Sequence, residues 1–338
     1  MREEYELEVL GRYDIEVKGT RRIRGAFFCD TNEGTMLLKE TKVSAQRAPL
    51  LYTVLRYIED LGIVKVDTPV FTSDGELLVT SREGRVYMLK KWYQGHECDI
   101  RQEGELVQAA QKLAVLHRLT GDRRQWDANG TLTGEYTGVA RDPAEEIRRH
   151  NRELKKVRAF IRQRTVKNEF EMLFLSSFES MYEMAEKVLD RMESAGLGEL
   201  KKSAADTGSL IHGDYNYHNL LMTEDDMAVT GFERMHAGIQ VQDLYYFTRK
   251  VMEKHHWKQK TGRKILDAYE SERRLTPCER EYTGLCLAYP EKYWKTASSY
   301  YHSNKAWLPE KYVEKLKLAV RQAEEKYGFL EEVFSLRL

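Results

Sequence analysis

The chain has 338 residues, enough for two lobes or domains of about 100–200 residues each. Hydrophobic residues make up 41% of it and charged residues 32%, and its 54 basic and 54 acidic residues balance, so the overall charge gives no indication of nucleic acid binding. No apolar run approaches the ~20 residues that would span a bilayer, which argues against a membrane protein.

The first hundred residues carry strand signals around a single helix. Two apolar runs flank a turn at 30–34, a pattern typical of a β-hairpin. A helix is predicted from near Ser44 to Gly62, where apolar side chains recur at helical spacing. Three further strands are predicted around Val70, at 77–80 and at 85–90. This order of strands and helix is that of a kinase-type N-lobe.

From Glu103 onward the apolar spacing is helical, and we expect a β-rich N-lobe over residues 1–94 and a helical C-lobe over 95–338. The stretch 148–167 holds nine Lys and Arg residues, which predicts a solvated helix face, with docking of a partner as the alternative. The segment 211–221 lies in the C-lobe, and a short hairpin and further helices follow it.

That segment, Ile211-His-Gly-Asp-Tyr-Asn-Tyr-His-Asn-Leu-Leu221, reads as the catalytic loop of a phosphotransferase. In kinase chemistry the acid of such a loop, here Asp214 after His212, accepts or orients the proton of the attacking hydroxyl. The amide, here Asn219, holds a metal ion. The alternative is a structural turn held by Asp and Asn side chains. The spacing and the apolar flanks favour a kinase-like fold.

The strand after this loop lacks the second metal ligand that a kinase requires. It reads Met227-Ala-Val-Thr-Gly-Phe-Glu233, with Gly231 where an Asp is expected, and glycine has no side chain to ligate an ion. Glu233 lies two residues on, hence on the same strand face, and either partly compensates or makes a structural contact. Asp243 suits a helix N-terminus or a brace for the catalytic loop.

Two nucleotide-binding features are also incomplete. Lys39 ends an apolar strand, where it is either a kinase lysine that contacts phosphates or an ordinary solvated lysine. Its carboxylate partner should come from the next helix, which offers only Glu59 and Asp60 near its end. Residues 10–25 contain no G-x-G-x-x-G phosphate loop. The basic residues there either supply charge or form a solvated strand edge: Arg21, Arg22 and Arg24.

Together these segments resemble the CotS-type spore coat proteins, relatives of aminoglycoside and choline kinases, over nearly the whole chain. The hinge at 92–99 and the C-terminal segment Ala288-Tyr-Pro-Glu-Lys-Tyr293 are the most family-specific parts. The other matching segments are Gly25-Ala-Phe, Thr31-Asn-Glu-Gly34, Leu38-Lys39, Leu116-His117, His212–Asn219, Gln242-Asp-Leu-Tyr245, Arg249-Lys-Val-Met-Glu253, Tyr300-Tyr301 and Trp307.

The resemblance implies an α+β, bilobal protein-kinase-like (aminoglycoside phosphotransferase-like) fold. It also implies a protein made in the mother cell of a spore-forming bacterium and placed in the coat beside other coat proteins. Synthesis in the cytoplasm agrees with the charged start Met1-Arg-Glu-Glu, which predicts no signal peptide, and with four widely spaced cysteines.

Three hypotheses follow. The leading one is a structural or assembly protein of the coat, a pseudokinase that has lost efficient phosphoryl transfer, for which ATP and magnesium are possible but not certain cofactors. The second is an active small-molecule kinase that uses ATP and magnesium, with Asp214 as base, Asn219 as metal ligand and Lys39 as phosphate contact. The third is a nucleotide-binding module that switches conformation without catalysis.

Overall fold

The computed structural model describes residues 8–23, 25–128, 130, 132, 142–194, 196–303 and 310–338. Arg24 and Trp307 lie outside the described residues. The chain forms two compact units. The first unit comprises 1–139, 204–243 and 268–273, and the second comprises 140–203, 244–267 and 274–338. The catalytic-loop segment therefore belongs to the same unit as the N-terminal strands, and the lobe boundary at residue 94 stays a prediction.

The first unit contains a five-stranded antiparallel sheet in the order β1-β2-β3-β6-β5. Its strands are β1 (Val17–Ile23), β2 (Ala26–Thr31), β3 (Gly34–Glu40), β5 (Val79–Thr80) and β6 (Val86–Lys91). The predicted β2–β3 hairpin is confirmed. The strand predicted around Val70 is reduced to an isolated bridge between Pro69 and Lys90, because the chain turns from Thr72 onward, where the Thr72 N–H donates to the Glu76 oxygen.

The predicted N-lobe helix is confirmed as α1 (Ala48–Leu61), although it begins four residues after Ser44. Pro49 lies in its first turn, where a missing N–H leaves no helical hydrogen bond unmade. The helix ends at Gly62, which has a φ of +66°. Its buried face is the predicted apolar one.

A second, four-stranded sheet in this unit has the order β4-β10-β9-β7. The strands are β4 (Lys65–Val66), β7 (His96–Glu97), β9 (Leu220–Met222) and β10 (Met227–Val229). The hairpin β9–β10 confirms the predicted turn at 223–226. Strands β4 and β10 are parallel, with Val66 opposite Val229. The residues that follow these two strands therefore emerge at the same edge of the sheet.

The remaining elements are mostly helical, as the spacing beyond Glu103 predicts. They are α2 (Glu103–Leu119), α3 (Arg123–Trp126), α4 (Pro143–Gln163), α5 (Glu169–Ser194), α6 (Gly198–Thr207), the paired strands β8 (Leu210–Ile211) and β11 (His236–Ala237), α7 (Val241–Met252), α8 (Gln259–Glu272), α9 (Pro277–Ala288), α10 (Glu291–His302) and α11 (Glu310–Phe334). Within the described ranges, no helix combines the length and apolarity that a membrane crossing requires.

The second unit has an aromatic core, to which α4, α5, α10 and α11 contribute buried residues. The basic stretch 148–167 lies mainly on α4, where Arg148 pairs with Glu193 and Arg158 pairs with Glu179 on α5. These pairs fit the interpretation of this stretch as a solvated helix face whose charges are partly neutralised within the chain.

Candidate active site

Asp243 binds the main chain at the start of the catalytic loop. Its carboxylate is buried and accepts hydrogen bonds from the main-chain N–H groups of His212, at 2.6 Å, and Gly213, at 2.9 Å. Burial alone would raise the pKa of this carboxyl, but hydrogen bonding and electrostatic interaction with His117 and His212, including the His212 main-chain N–H, lower it. Asp243 therefore lies where a brace for the loop is expected, at the start of α7.

Both ring nitrogens of His212 form hydrogen bonds with backbone groups. Its Nδ1 accepts from the Asp214 N–H at 3.1 Å, and its Nε2 lies 3.0 Å from the carbonyl oxygen of Thr230. These contacts select the tautomer that carries its proton on Nε2. Gly213 has a φ of +77°, and a Cβ there would lie 2.5 Å from the Arg234 oxygen. The His-Gly pair thus positions the loop.

The acid and the amide of the loop are brought together. Asn216 donates to Asp214 Oδ1 at 3.0 Å, and the Asn219 side chain donates to the Asp214 carbonyl oxygen at 2.9 Å. Asp214 is partly exposed, so its carboxylate is accessible to a substrate hydroxyl. The Asn five residues after Asp214 therefore holds the backbone of the loop at Asp214.

Gly231 leaves no space for the missing acid. It has a φ of +82°, a region that side-chain-bearing residues rarely occupy. A Cβ at this position would lie 2.9 Å from both Cγ and Oδ1 of Asn219. The Gly231 N–H donates to Asp67 Oδ2 at 3.0 Å. The chain at this position is therefore built around glycine rather than around an aspartate.

Three charged residues form what we call the ion triad: Asp67, Lys90 and Glu233. Lys90 Nζ on β6 lies 2.6 Å from Asp67 Oδ2 and 2.7 Å from Glu233 Oε1. Asp67 directly follows β4 and is fully buried, while Lys90 is 4% exposed. Because Lys90 and the Gly231 N–H share Asp67 Oδ2, the ammonium lies beside the backbone where the kinase acid would stand.

The charges of this cluster are balanced. Burial alone would lower the pKa of Lys90, but Asp67 and Glu233 raise it, so Lys90 stays protonated. Burial would raise the pKa of Glu233, but Lys90 and Lys39 bring it down to about 2. Burial raises the pKa of Asp67 despite the charge of Lys90. When all are ionised, Lys39 and Lys90 neutralise the charges of Asp67 and Glu233 without a metal ion.

Lys39 takes no carboxylate from helix α1. Its nearest partner is Glu233, at 3.9 Å, and its side chain is 51% exposed. Glu59 instead pairs with Lys91 at 2.5 Å, and Asp60 pairs with Arg56 at 2.8 Å. In this structure the two acids near the end of α1 therefore pair with Lys91 and Arg56 instead of Lys39.

The connection between the first two strands, where a kinase carries its phosphate loop, is short. Strand β1 ends at Ile23, β2 begins at Ala26, and these two residues pair directly. A connection of two residues is too short for backbone amides to surround a triphosphate. This region therefore offers a tight turn, at Gly25 with a φ of +86°, rather than a phosphate cradle.

A divalent ion does not fit the residues present. The described ranges hold no group of three His, Cys, Asp or Glu side chains arranged for a metal. Asn219 lies against Gly231, and the two nearest acids of the ion triad already bind Lys90. Asp67 Oδ1 is buried without a partner in the described part of the chain, but a single oxygen beside the Lys90 ammonium is not enough to hold a divalent cation.

Asp67 and Lys90 do not stand out in the sequence as site residues. One signal was available for Lys90, since its neighbours in β6, Tyr87, Met88 and Leu89, are hydrophobic enough to be buried on both faces. A lysine within such a strand must find a buried acid. Asp67 carries no comparable local signal, because its role depends on the parallel pairing of β4 with β10.

A comparison with protein families agrees with the kinase-like sequence features. A family model described as "Spore coat putative kinase YutH" matches residues 6–333. A comparison with curated protein sequences finds no match.

The solved structures that share this fold include small-molecule kinases. An aminoglycoside phosphotransferase from Alicyclobacillus acidocaldarius is 18% identical, with a TM-score of 0.82, and the alignment covers 96% of this chain and 93% of that one. The spectinomycin phosphotransferase APH(9)-Ia has a TM-score of 0.60 at 12% identity, covering 96% and 98%. A microcompartment-associated aminopropanol kinase has a TM-score of 0.60 at 14% identity, covering 98% and 97%. The predicted aminoglycoside phosphotransferase-like fold is confirmed.

Proposed function

Because this chain belongs to the family of kinase-like spore coat proteins whose model matches residues 6–333, we propose that it is a structural or assembly component of the spore coat that no longer transfers phosphoryl groups efficiently. In this proposal it is a pseudokinase, made in the mother cell and incorporated into the coat through contacts with other coat proteins. Its surface, rather than the kinase site, carries its function.

The ion triad is the observation that carries this proposal. Phosphoryl transfer depends almost entirely on positioning and on the stabilisation of charge. Here the Lys90 ammonium sits between Asp67 and Glu233, 2.6 and 2.7 Å from their oxygens, and Gly231 supplies no ligand. Loss of one electrostatic group costs a catalyst about 10²–10³ in rate. The absent ligand and the short β1–β2 connection each remove such a contribution.

An active small-molecule kinase is the second candidate, and the geometry of the catalytic loop favours it. Asp214 and Asn219 are joined by a 2.9 Å hydrogen bond, and Asp243 braces the loop. In this case Asp214 would orient a substrate hydroxyl and Lys39, which is half exposed, would contact a phosphate. Slow residual transfer from ATP would be compatible with this arrangement.

Coat incorporation of an Asp214→Asn variant separates the two candidates. The variant and the wild-type protein would be produced in a sporulating host that lacks the native gene, and their amounts in coat extracts compared. Among the described residues Asp214 makes no ion pair, and an asparagine oxygen can still accept from the Asn216 side chain, so we expect the exchange to keep the loop geometry. We expect equal incorporation of both proteins. A variant that unfolds at the wild-type temperature but is absent from the coat would contradict a purely structural role.

A further inference from the structure

A small cavity lies within the second unit. It has a volume of about 30 Å³ and is lined by α5, α7, the turn after α7, the junction of α9 and α10, and α11. Two segments that resemble the coat family, 249–253 and 288–293, both contribute to its wall, and the candidate active site uses neither of them. We call it the α7–α11 cavity.

Two buried donors in its wall have no acceptor. Arg249 is 7% exposed, and its Nη1 bonds Glu253 at 2.8 Å, but its Nε has no hydrogen-bond partner in the described part of the chain. Trp257 is 5% exposed, and its Nε1 is likewise unpartnered among the described residues. Leaving a buried N–H unsatisfied is costly, so two such groups lining one cavity indicate an acceptor inside it.

Lys326 adds a cationic donor to the same wall. Its Nζ donates to the carbonyl oxygens of Ala288, at 2.9 Å, and Tyr289, at 3.0 Å, which leaves a third N–H. Burial lowers the pKa of Lys326 to about 7, with a smaller lowering by Arg249, against the raising effect of Glu253 and Glu291. An anion in the cavity would favour the protonated form of this lysine.

The backbone holds Trp257 in this wall at a cost. His256 and Trp257 both have a φ of +51°, and consecutive left-handed residues other than glycine are strained. The α10 helix begins at Glu291, so its N-terminal turn, with its partial positive charge, also lines the cavity. Strain and helix orientation thus present donors to the same small space.

The acids near the cavity are already paired. Glu253 binds Arg249, and Glu291 binds Lys295 at 2.9 Å. Lys292, which also lines the cavity, adds a further cation. The unsatisfied groups in the wall are therefore donors, and the net charge around them is positive whenever Lys326 is protonated.

We propose that the α7–α11 cavity binds the carboxylate group of a small organic acid. The volume of about 30 Å³ accommodates about two oxygen-sized groups, at about 10–15 Å³ each. A carboxylate has two such oxygens, whereas a phosphate has four. Its two oxygens accept from Arg249 Nε, Trp257 Nε1 and the third N–H of Lys326. The remainder of the acid points toward the cavity opening.

The indole resonances of the ¹⁵N-labelled protein test this proposal directly. The protein would be titrated with sodium acetate in a carboxylate-free buffer, with sodium chloride at equal ionic strength as the comparison. The Trp257 resonance is assigned by its loss in Trp257→Phe. We expect a saturable shift of this one resonance among those of the five tryptophans. An absent shift, or an equal shift with chloride, would overturn the carboxylate assignment and leave two bound waters as the contents.

Matched variants separate binding from structure, with acetate affinity measured by calorimetric titration. Lys326→Met should weaken it at least about tenfold, since it removes a charged donor. Lys317→Met, on the same helix but exposed and paired with Glu169 at 2.8 Å, should leave it unchanged. If Lys326→Met does not fold, Trp257→Phe gives the answer, because it removes one N–H and keeps an aromatic ring. The control is Trp294→Phe, whose Nε1 donates to Glu153. Unchanged affinity in Trp257→Phe would overturn the proposal.

Discussion

The backbone at Gly231 explains why the catalytic acid cannot simply be restored. Its φ of +82° and the Asn219 side chain, 2.9 Å from an ideal Cβ, both oppose a side chain at this position. The carbonyl oxygen of Asn219 accepts the Thr230 N–H at 2.9 Å, so the amide residue is itself fixed to the strand. Substitution of Gly231 by aspartate therefore creates a steric clash with Asn219 whether or not a metal ion binds.

Gly231→Asp and Gly231→Ala should consequently behave alike. Each adds a Cβ in a left-handed conformation against Asn219, which should lower the free energy of unfolding by about 1–3 kcal/mol. Urea denaturation of both variants measures this. Magnesium should not stabilise Gly231→Asp more than Gly231→Ala. A magnesium-dependent gain that is specific to the aspartate variant would show that the site accepts the ion after all.

Lys90 should be the residue of the ion triad on which stability depends most. Lys90→Met leaves Asp67 and Glu233 buried without their cation, and breaking a buried pair from one side costs about 3–5 kcal/mol. Lys91→Met is the matched control, because its pair with Glu59 is partly exposed, with 42% of the lysine side chain accessible, and should be worth less than about 1 kcal/mol. Equal, small losses in urea denaturation would contradict the account of the triad.

At the scale of elements, the hinge depends on a close approach between strands. Gly95 lies just before β7, and a Cβ there would lie 2.1 Å from the carbonyl oxygen of Met222 in β9. The pairing of His96 with Met222 fixes this approach. Only glycine lets the hinge backbone come this near to the sheet that follows the catalytic loop.

Gly95→Ala should therefore destabilise the protein by about 1–3 kcal/mol, as overpacking does. Gly104→Ala provides the control, since Gly104 lies in α2 with nothing within 4 Å of its ideal Cβ. It should gain about 0.5–1 kcal/mol through helix propensity. Thermal unfolding of the two variants measures the contrast. Similar midpoints for both would mean that β7 and β9 can separate without cost.

The C-terminus of α9 makes stability depend on pH through Lys326. The Lys326 ammonium donates hydrogen bonds to the carbonyl oxygens of Ala288 and Tyr289. Burial lowers the pKa of Lys326 to about 7, below the value of about 10.4 for a lysine in an unfolded chain. Arg249, Glu253 and Glu291 are the charged groups that influence it. Between these two pKa values the unfolded state binds more protons, so stability rises with pH.

The free energy of unfolding of wild type relative to Lys326→Met should therefore rise from pH 7.5 to 9, by about 1 kcal/mol per pH unit. Denaturation in buffers free of carboxylates measures this difference. The same comparison with Lys317→Met should be flat over this range, because that lysine is largely solvated. A flat difference for Lys326→Met would mean that the lysine keeps its proton in the folded protein.

The elements that the sequence predicts well are those fixed by local pattern. The β2–β3 hairpin follows from two apolar runs and a turn, and α1 follows from helical spacing ended by Gly62. The strand expected at Val70 is reduced to one bridge because the chain turns at Thr72, a change of direction that apolar spacing does not reveal. The catalytic loop was predictable because its chemistry is written in adjacent residues, 211–221.

At the scale of the whole molecule, what the sequence could not predict depends on contacts between distant segments. Asp67 and Lys90 meet Glu233 only because β4 pairs with β10 in parallel and β6 places its lysine inward. Likewise, the α7–α11 cavity brings together segments that are more than twenty residues apart in the sequence. Such groups acquire meaning only when the fold brings their atoms together.

We propose that the buried Lys90 ammonium, together with the glycine at position 231 in place of an acid, prevents this protein from holding a magnesium nucleotide. The most direct test is the thermal unfolding midpoint of the purified protein with millimolar ATP, once in magnesium and once in EDTA. A ligand that binds only the folded state raises its stability, by about 2.7 kcal/mol at 100 times its dissociation constant. The account predicts no magnesium-dependent rise of the midpoint. A rise in magnesium that disappears in EDTA would contradict it.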